Sequence, residues 1–446
     1  MSSSKSTSHQ EQPLEVVVIG AGVIGIQVAL GLAKRNIAVT LYDQASELKE
    51  ISAGFGFTDN VVGCMRFLEP RLAGAVDTAG PPAEGSQRWV DGMTKEDIRA
   101  MRYEDVPGIK MAGEVDLHYC HRGQLLHEMV KLFPKHQIQL GKRLETIEGL
   151  DGDSKAVLRF VDGTMAQADI VIGCDGINSR VRRVVAAPES PSAYSHYAHE
   201  SAFRCLVDYK SAHAALGQLA EEQVMFIGDN ANIITYPVGE RQSLNVAAFV
   251  KDDQDWPQGR KHAISVNKEE VVEAYSDFGP AVQALIQLLP DRVSRWAIFD
   301  TLDHPLASFV NGRIAVAGDA AHGSTPHHGA GAAMGIEDAA ILVALIERVN
   351  TLTESDRSTV PVLECVTEAL KIYDSVRRER AQWLVESSRL QGQIVKFLNP
   401  DIGRDFEKLQ AHTRMRMSKI QTYDWHDVMI NAVTDLENRF GKYEDL

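Results

Sequence analysis

Residues 14–43 read LEVVVIGAGVIGIQVALGLAKRNIAVTLYD, and this stretch decides the fold. Leu14 to Ile19 is an apolar run broken only by Glu15, the pattern of a parallel strand buried on both faces. Gly20-Ala-Gly22-Val-Ile-Gly25 follows at once. Val23 to Lys34 then reads as a helix, and Ala38 to Tyr42 as a second strand ending at Asp43. The result is a strand–helix–strand unit opened by GxGxxG, with an acid at its far end. The glycines permit a tight turn and a close backbone approach to a pyrophosphate. The unpaired N–H groups of the helix start offer partners to that negative charge. Asp43, 18 residues after Gly25, is placed to accept hydrogen bonds from ribose hydroxyls. The alternative is a glycine-rich turn that binds nothing. The motif alone does not separate NAD from FAD.

Around this unit the composition is that of an ordinary globular protein, with 446 residues, 44% apolar and 24% charged. At roughly 100–200 residues per domain, the length predicts about two to four structural units. The net charge is -15, from 46 Lys plus Arg against 61 Asp plus Glu. An acidic surface speaks against nucleic acid as the main partner, because phosphate contacts need clustered cations. The five cysteines (Cys64, Cys120, Cys174, Cys205, Cys365) show no CxxC spacing. Neither a metal site nor a disulfide framework is expected, and reduced thiols in a cytoplasmic protein are. Residues 1–13 are polar and Ser-rich, which predicts a loose tail and not a signal peptide. No apolar run approaches the ~18 residues of a membrane helix, so no membrane association is expected.

Further along, residues 51–116 read as a long irregular region, with Gly and Pro crowded at 79–86. Arg122 to Leu132 has helix texture. Ala156–Val161 and Met165–Ile172 read as a hairpin around Asp162-Gly163. From Tyr194 to Asp300 strand-like segments follow one another: Ala202–Val207, Val224–Ile227, Asn232–Tyr236 and Leu244–Val250. A short strand, Ile314–Ala317, enters Gly318-Asp319, and a helix is expected from Gly331 to Val349. The rest, from Val362, is charged and mostly helical, and the basic run 377–380 reads as a solvated helix face. Trp89, Trp256, Trp296 and Trp383 read as packing residues.

Two later segments turn the dinucleotide signal toward a flavin: Cys174-Asp175-Gly176-Ile-Asn178-Ser179-Arg180-Val-Arg182, and Gly318-Asp319-Ala-Ala-His322 followed by Pro326-His327-His328-Gly329-Ala330-Gly331. In this order, GxGxxG, DGxxSxVR and GDAAH with PxxGxG resemble the group A flavoprotein aromatic hydroxylases of the para-hydroxybenzoate and salicylate hydroxylase type, over about residues 14–395. The resemblance implies bound FAD, with NADPH or NADH as a transient reductant that needs no domain of its own. Oxygen then adds to the reduced flavin, and the resulting hydroperoxide attacks an electron-rich ring. Asp319 would accept from a ribityl hydroxyl. Gly329, Ala330 and Gly331 would bring a helix start to the flavin's pyrimidine edge, where its dipole stabilises the reduced ring. Arg122 matches the family's Arg on the crossover helix that contacts the cofactor. Asp175 sits between flavin and nicotinamide functions, the alternative being a tight turn with a helix cap. For Asp319 the alternative is a helix cap alone.

Within that group the chain is similar to fungal dearomatising phenol hydroxylases of tropolone, sorbicillinoid and azaphilone pathways. The similar stretches are Arg88-Trp-Val-Asp-Gly92, Phe203-Arg204, Tyr236-Pro-Val238, Arg295-Trp-Ala-Ile-Phe-Asp-Thr301 and 326–331. The last departs from the usual glycine-glutamine-glycine form by carrying Ala330. By this resemblance Arg204 and Tyr236 hold the substrate phenolate. A guanidinium favours the ionised phenol, and a tyrosine hydroxyl donates to the same oxygen. The structural alternatives are an ion-pair partner for Arg204 and a core aromatic for Tyr236. His327 and His328 are candidate pocket residues.

The expected architecture is α/β, a doubly wound FAD-binding domain with an inserted, mostly antiparallel β-sheet substrate domain and a helical C-terminal region. The FAD domain spans 14–190 and 301–360, with substrate-sheet segments within 51–120. The substrate domain spans 191–300 and the C-terminal region 361–446. The expected partners are a phenolic small molecule and O2, with no nucleic acid. The competing functions are salicylate-type decarboxylating or simple ring hydroxylation, an NAD-dependent dehydrogenase, and a flavin-bound scaffold without oxygenase activity.

Overall fold

The computed structural model describes residues 14–48, 54–80, 87–95, 108–111, 117–149, 154–238, 241–257, 259, 261–353 and 361–440. The expected 1–13 tail and the 81–86 stretch lie outside them. Strand Glu15–Ile19, helix Val23–Lys34 and strand Ala38–Tyr42 form as the opening stretch predicts. They sit in a six-stranded sheet ordered Val310–Asn311, Ile314–Val316, Ile170–Gly173, Glu15–Ile19, Ala38–Tyr42, Ile138–Gln139. Every neighbouring pair is parallel except the first. Val16, Val17, Val18 and Ile19 are each at most 4% exposed, as a strand covered on both faces requires. The Val23–Lys34 helix packs on the long Gly331–Thr353 helix.

The expected hairpin divides. Met165–Ala168 pairs antiparallel with Ala156–Phe160, but Ile170–Gly173 leaves to join the parallel sheet. Asp169 marks the break: its carboxylate accepts from the Glu15 N–H at 2.9 Å and pairs with Lys155 at 3.1 Å.

The second sheet has eight strands, ordered Ala263–Asn267, Arg292–Asp300, His196–Asp208, Ser243–Lys251, Ala231–Val238, Gln223–Gly228, Gln87–Asp91, Gly108–Met111. All its pairs are antiparallel except Gln223–Gly228 with Gln87–Asp91. Strand alternation sends Phe203, Val246 and Ile233 into a core shared with helices Tyr209–Leu216, Lys268–Ala274 and Pro280–Gln287. The alternate residues Arg204, Ala247 and Ile234 face a cavity.

Two expectations are corrected. The described parts of 51–116 are not irregular: they contain helices Asp59–Leu68 and Arg71–Ala79, besides strands of two sheets. Val61, Val62, Met65, Leu68, Leu72 and Val76 are buried at helical spacing. Each helix is too short for that period to stand out beside the flanking Gly and Pro. The run 377–380 is not a solvated face either. Arg377 is fully buried between Glu337 (2.8 Å) and Asp338 (2.8 Å), and Arg380 also pairs with Glu337. The C-terminal region is helical over Val362–Ile394, Phe406–Gln421 and Trp425–Phe440. Among the described residues, no helix is long and apolar enough to cross a membrane.

Candidate active site

Between the parallel sheet and the large sheet lies a cavity of ≈ 2730 Å³, room for a dinucleotide and a small ring together. Of the residues singled out in the sequence, Gly20, Gly22, Asp43, Arg122, Asp175, Arg204, Tyr236, Asp319, His327, His328, Gly329, Ala330 and Gly331 all contribute to its wall. Gly25 does not. A Cβ on Gly25 would fall 1.9 Å from the Gly20 carbonyl oxygen, so this glycine closes the turn. Gly20 itself has φ +104° and its would-be Cβ lies 2.4 Å from the Cys174 carbonyl, which locks the first motif against the second.

At one end, Gly22 caps the first helix with no side-chain bond, and no acid stands in the first turn. Nothing lies within 4 Å of where its Cβ would be. An open, uncapped helix start facing a cavity suits a phosphate. Asp43 holds this loop: its carboxylate accepts from the Ala21 N–H at 2.6 Å and the Ala45 N–H at 2.7 Å.

In the middle, Asp319 begins a short helix, Asp319–His322, whose cap is Gly318, so Asp319 is not itself the cap. Gly329 adopts the left-handed conformation (φ +64°), and Gly331 starts the long helix, again without an acid in its first turn. Arg122 starts the Arg122–Leu132 helix; burial lowers its pKa while nearby Asp319 opposes that. Asp175 is occupied: it accepts from Ser179 Oγ (2.5 Å) and from the N–H groups of Arg180 (2.6 Å) and Val181 (3.3 Å). Those bonds are the turn-and-cap arrangement, and burial nonetheless raises its pKa.

Sequence reasoning missed the clamps behind these loops. Arg182 donates to the carbonyls of Ser192 (2.6 Å), Ala320 (3.2 Å) and Ala321 (2.7 Å), tying the second motif to the third. Asp338 accepts from the Gly318 N–H (3.0 Å) and contacts His322 (2.6 Å) and Arg377 (2.8 Å). His322 and Arg377 beside it hold its carboxyl well below the usual range against the rise from burial.

On the large sheet, Arg204 stands opposite Ala247, which stands opposite Ile234; Tyr236 lies two residues further along. The small Ala247 leaves room above the sheet between Arg204 and Tyr236. The Arg204 guanidinium lies over the Trp296 ring at 5.5 Å, and its buried Nε has no hydrogen-bond partner among the described residues. Burial raises the Tyr236 pKa, and Arg204 nearby lowers it. His327 contacts Glu200 (2.9 Å), and His328 contacts the Ser387 hydroxyl (2.9 Å). The buried Asn232 amide is unpaired among the described residues.

An uncapped helix start, an acid at the second strand end and a second helix start over a large cavity define a dinucleotide flavoprotein with room for a substrate. The chain belongs to the FAD binding domain family, whose model matches residues 13–387. It is 42% identical to the FAD-dependent monooxygenase pigN of Monascus ruber, over 97% of this chain and 99% of that one. It is 34% identical to the salicylate hydroxylase asL1 of Sarocladium schorii, over 85% and 81%. A salicylate hydroxylase solved as a substrate complex superposes with a TM-score of 0.80 at 27% identity, covering 94% of this chain and 98% of that one. The protein is an FAD-dependent monooxygenase of the flavoprotein aromatic hydroxylases, a family that typically uses NAD(P)H as reductant.

Proposed function

We propose that this monooxygenase hydroxylates a phenolic, polyketide-type substrate in fungal secondary metabolism, with NADPH or NADH as the electron source. Attack falls on a substituted carbon ortho to the phenolate, so the product is a dearomatised dienone. The observation that carries this reading is Arg204, a largely buried cation in the cavity wall with no acidic partner among the described residues. A buried guanidinium left unpaired is costly, and an anion supplied by the ligand removes that cost. Tyr236 beside it donates to the same oxygen. Held as phenolate in a dry pocket, the ring is more nucleophilic.

The residues that would hold FAD are Gly20, Gly22 and Asp43 at the phosphates and ribose, and Arg122, Asp319 and the 329–331 turn at the ring. When bound and reduced, FAD supplies the activated oxygen. The sheet residues bind the ring, set its orientation and keep its proton off.

The test is Arg204→Ala. Phenol-dependent NAD(P)H oxidation is expected to drop by about 100-fold or more, the worth of a buried charged hydrogen bond, with FAD still bound. Near-normal turnover would sink the assignment. A second reading, decarboxylating hydroxylation of a benzoate, is favoured by the second guanidinium, Arg122, whose charge bears on Arg204. Product mass separates the two: oxygen gained with every carbon kept, or carbon dioxide lost.

A further inference from the structure

Helix Arg180–Ala186 sends its basic residues two ways. Arg182 turns inward, is 1% exposed and donates to backbone carbonyls. Arg180 and Arg183, one turn apart on the same face, line the cavity instead. Arg143, just before strand Leu144–Glu148, joins them in that wall. The three charges bear on one another: besides burial, Arg183 and Arg143 lower the Arg180 pKa. Among the described residues, no acid pairs with any of the three guanidinium groups, and the buried Nε of Arg183 has no hydrogen-bond partner. Asp175 draws on Arg180, but its carboxylate is already engaged by Ser179 Oγ and the N–H groups of Arg180 and Val181. The adjacent Lys142 is different, because its Nζ pairs with Asp162 at 2.6 Å.

We propose that Arg143, Arg180 and Arg183 dock the 2′-phosphoadenosine end of NADPH, so that the enzyme takes its electrons from NADPH in preference to NADH. The proposal rests on the NAD(P)H reading above and narrows it. A phosphate monoester brings about −1.5 to −2 charges and three acceptor oxygens. Guanidinium forks match that geometry, whereas NADH offers only a hydroxyl at the same place. Three like charges gathered without an acid repel one another, and a polyanion among them removes the repulsion.

FAD leaves this demand unmet. It carries no phosphate on its ribose, and its diphosphate suits the uncapped helix start at Gly22. The acid at that end, Asp43, suits ribose hydroxyls and repels a further phosphate. The cavity holds ≈ 2730 Å³, against roughly 300–1,000 Å³ for one small-ligand site, so a second nucleotide fits beside the first. The cluster is also held in place. The Arg183 guanidinium lies over the Tyr194 ring at 4.9 Å, and the Tyr194 hydroxyl donates to the Pro188 carbonyl at 3.1 Å. Arg182 fastens the same helix to the carbonyls of Ala320 and Ala321, next to Asp319. A nucleotide anchored by the arginines therefore shares one cavity with the residues placed at the flavin ring.

The experiment titrates holoenzyme with adenosine 2′,5′-bisphosphate and with adenosine 5′-monophosphate by calorimetry. Wild type is expected to bind the bisphosphate about 30-fold more tightly, the worth of a hydrogen bond between charged groups. Arg143→Ala and Arg183→Ala should each remove most of that ratio. Each should also lower the kcat/KM of NADPH relative to that of NADH, with FAD content at the wild-type level. Arg143 is exposed, so its variant stays informative if loss of Arg183 disturbs the packing on Tyr194. A wild-type ratio near one would overturn the proposal, as would a ratio that survives in both variants. Loss of FAD from both variants with the nucleotide preference kept would also overturn it, and would give the cluster to the adenosine of FAD. Flavin that neither NADPH nor NADH reduces would overturn the NAD(P)H reading and this proposal with it.

Discussion

At the scale of single residues, neighbouring histidines have different surroundings that adjacency in sequence does not reveal. His327 faces a carboxylate and an ammonium, whereas His328 faces a serine hydroxyl that also accepts from Arg416 at 2.8 Å. Burial, helped by Arg416, lowers the His328 pKa from 6.5 to about 4. Between those values the unfolded chain binds a proton that the folded one refuses, so stability is lost as pH falls from 6.5 toward 4 and is unaffected above 6.5. The loss is on the order of 3 kcal/mol across that window. His328→Gln should flatten this slope in urea unfolding of the holoenzyme at pH values across it. An equally steep slope in the variant would contradict the assignment. The types at 327 and 328 were legible as pocket candidates. Their partners lie 127 and 59 positions away and were not.

Elements were legible where one period ran long enough. The first strand and helix, the Arg122–Leu132 helix and the Gly331–Thr353 helix came from pattern alone, because apolar spacing and glycine punctuation agree there. The two helices at 59–79 escaped because each offers barely three turns. The joint between motifs explains why the opening glycines are demanding. Gly25→Ala would push a methyl into the Gly20 carbonyl, shifting the helix start. The variant is expected to purify without flavin colour and to take up added FAD at least about 100-fold more weakly, since oriented N–H partners for the phosphates are lost. A yellow protein with normal FAD affinity would show that the turn tolerates the methyl.

At the scale of the whole molecule, the C-terminal helices do more than cover a sheet. Arg377, from the Val362–Ile394 helix, reaches Asp338, which in turn holds the Gly318 N–H and His322 of the third motif. Tyr373 of the same helix donates to the Val316 carbonyl at 2.9 Å. Arg377→Ala takes the buried cation from Asp338 and leaves Glu337 to Arg380 alone, which costs about 3–5 kcal/mol. The expected readout is a Tm lower by several degrees, with flavin release moving down in parallel. If flavin release stays at the wild-type temperature while unfolding shifts, the helix does not anchor the cofactor loop.

The sequence by itself determined the dinucleotide fold, the flavin family and thirteen of the residues that line the cavity, because those depend on local turns, helix starts and motif order. Only the tertiary structure decided which charges are paired. It buried Arg377, left Arg204 without an acid among the described residues, engaged Asp175 in a cap and gathered Glu200, His327 and Lys396 from three distant segments. Pairing depends on proximity through space, and an amino-acid order records spacing along the chain.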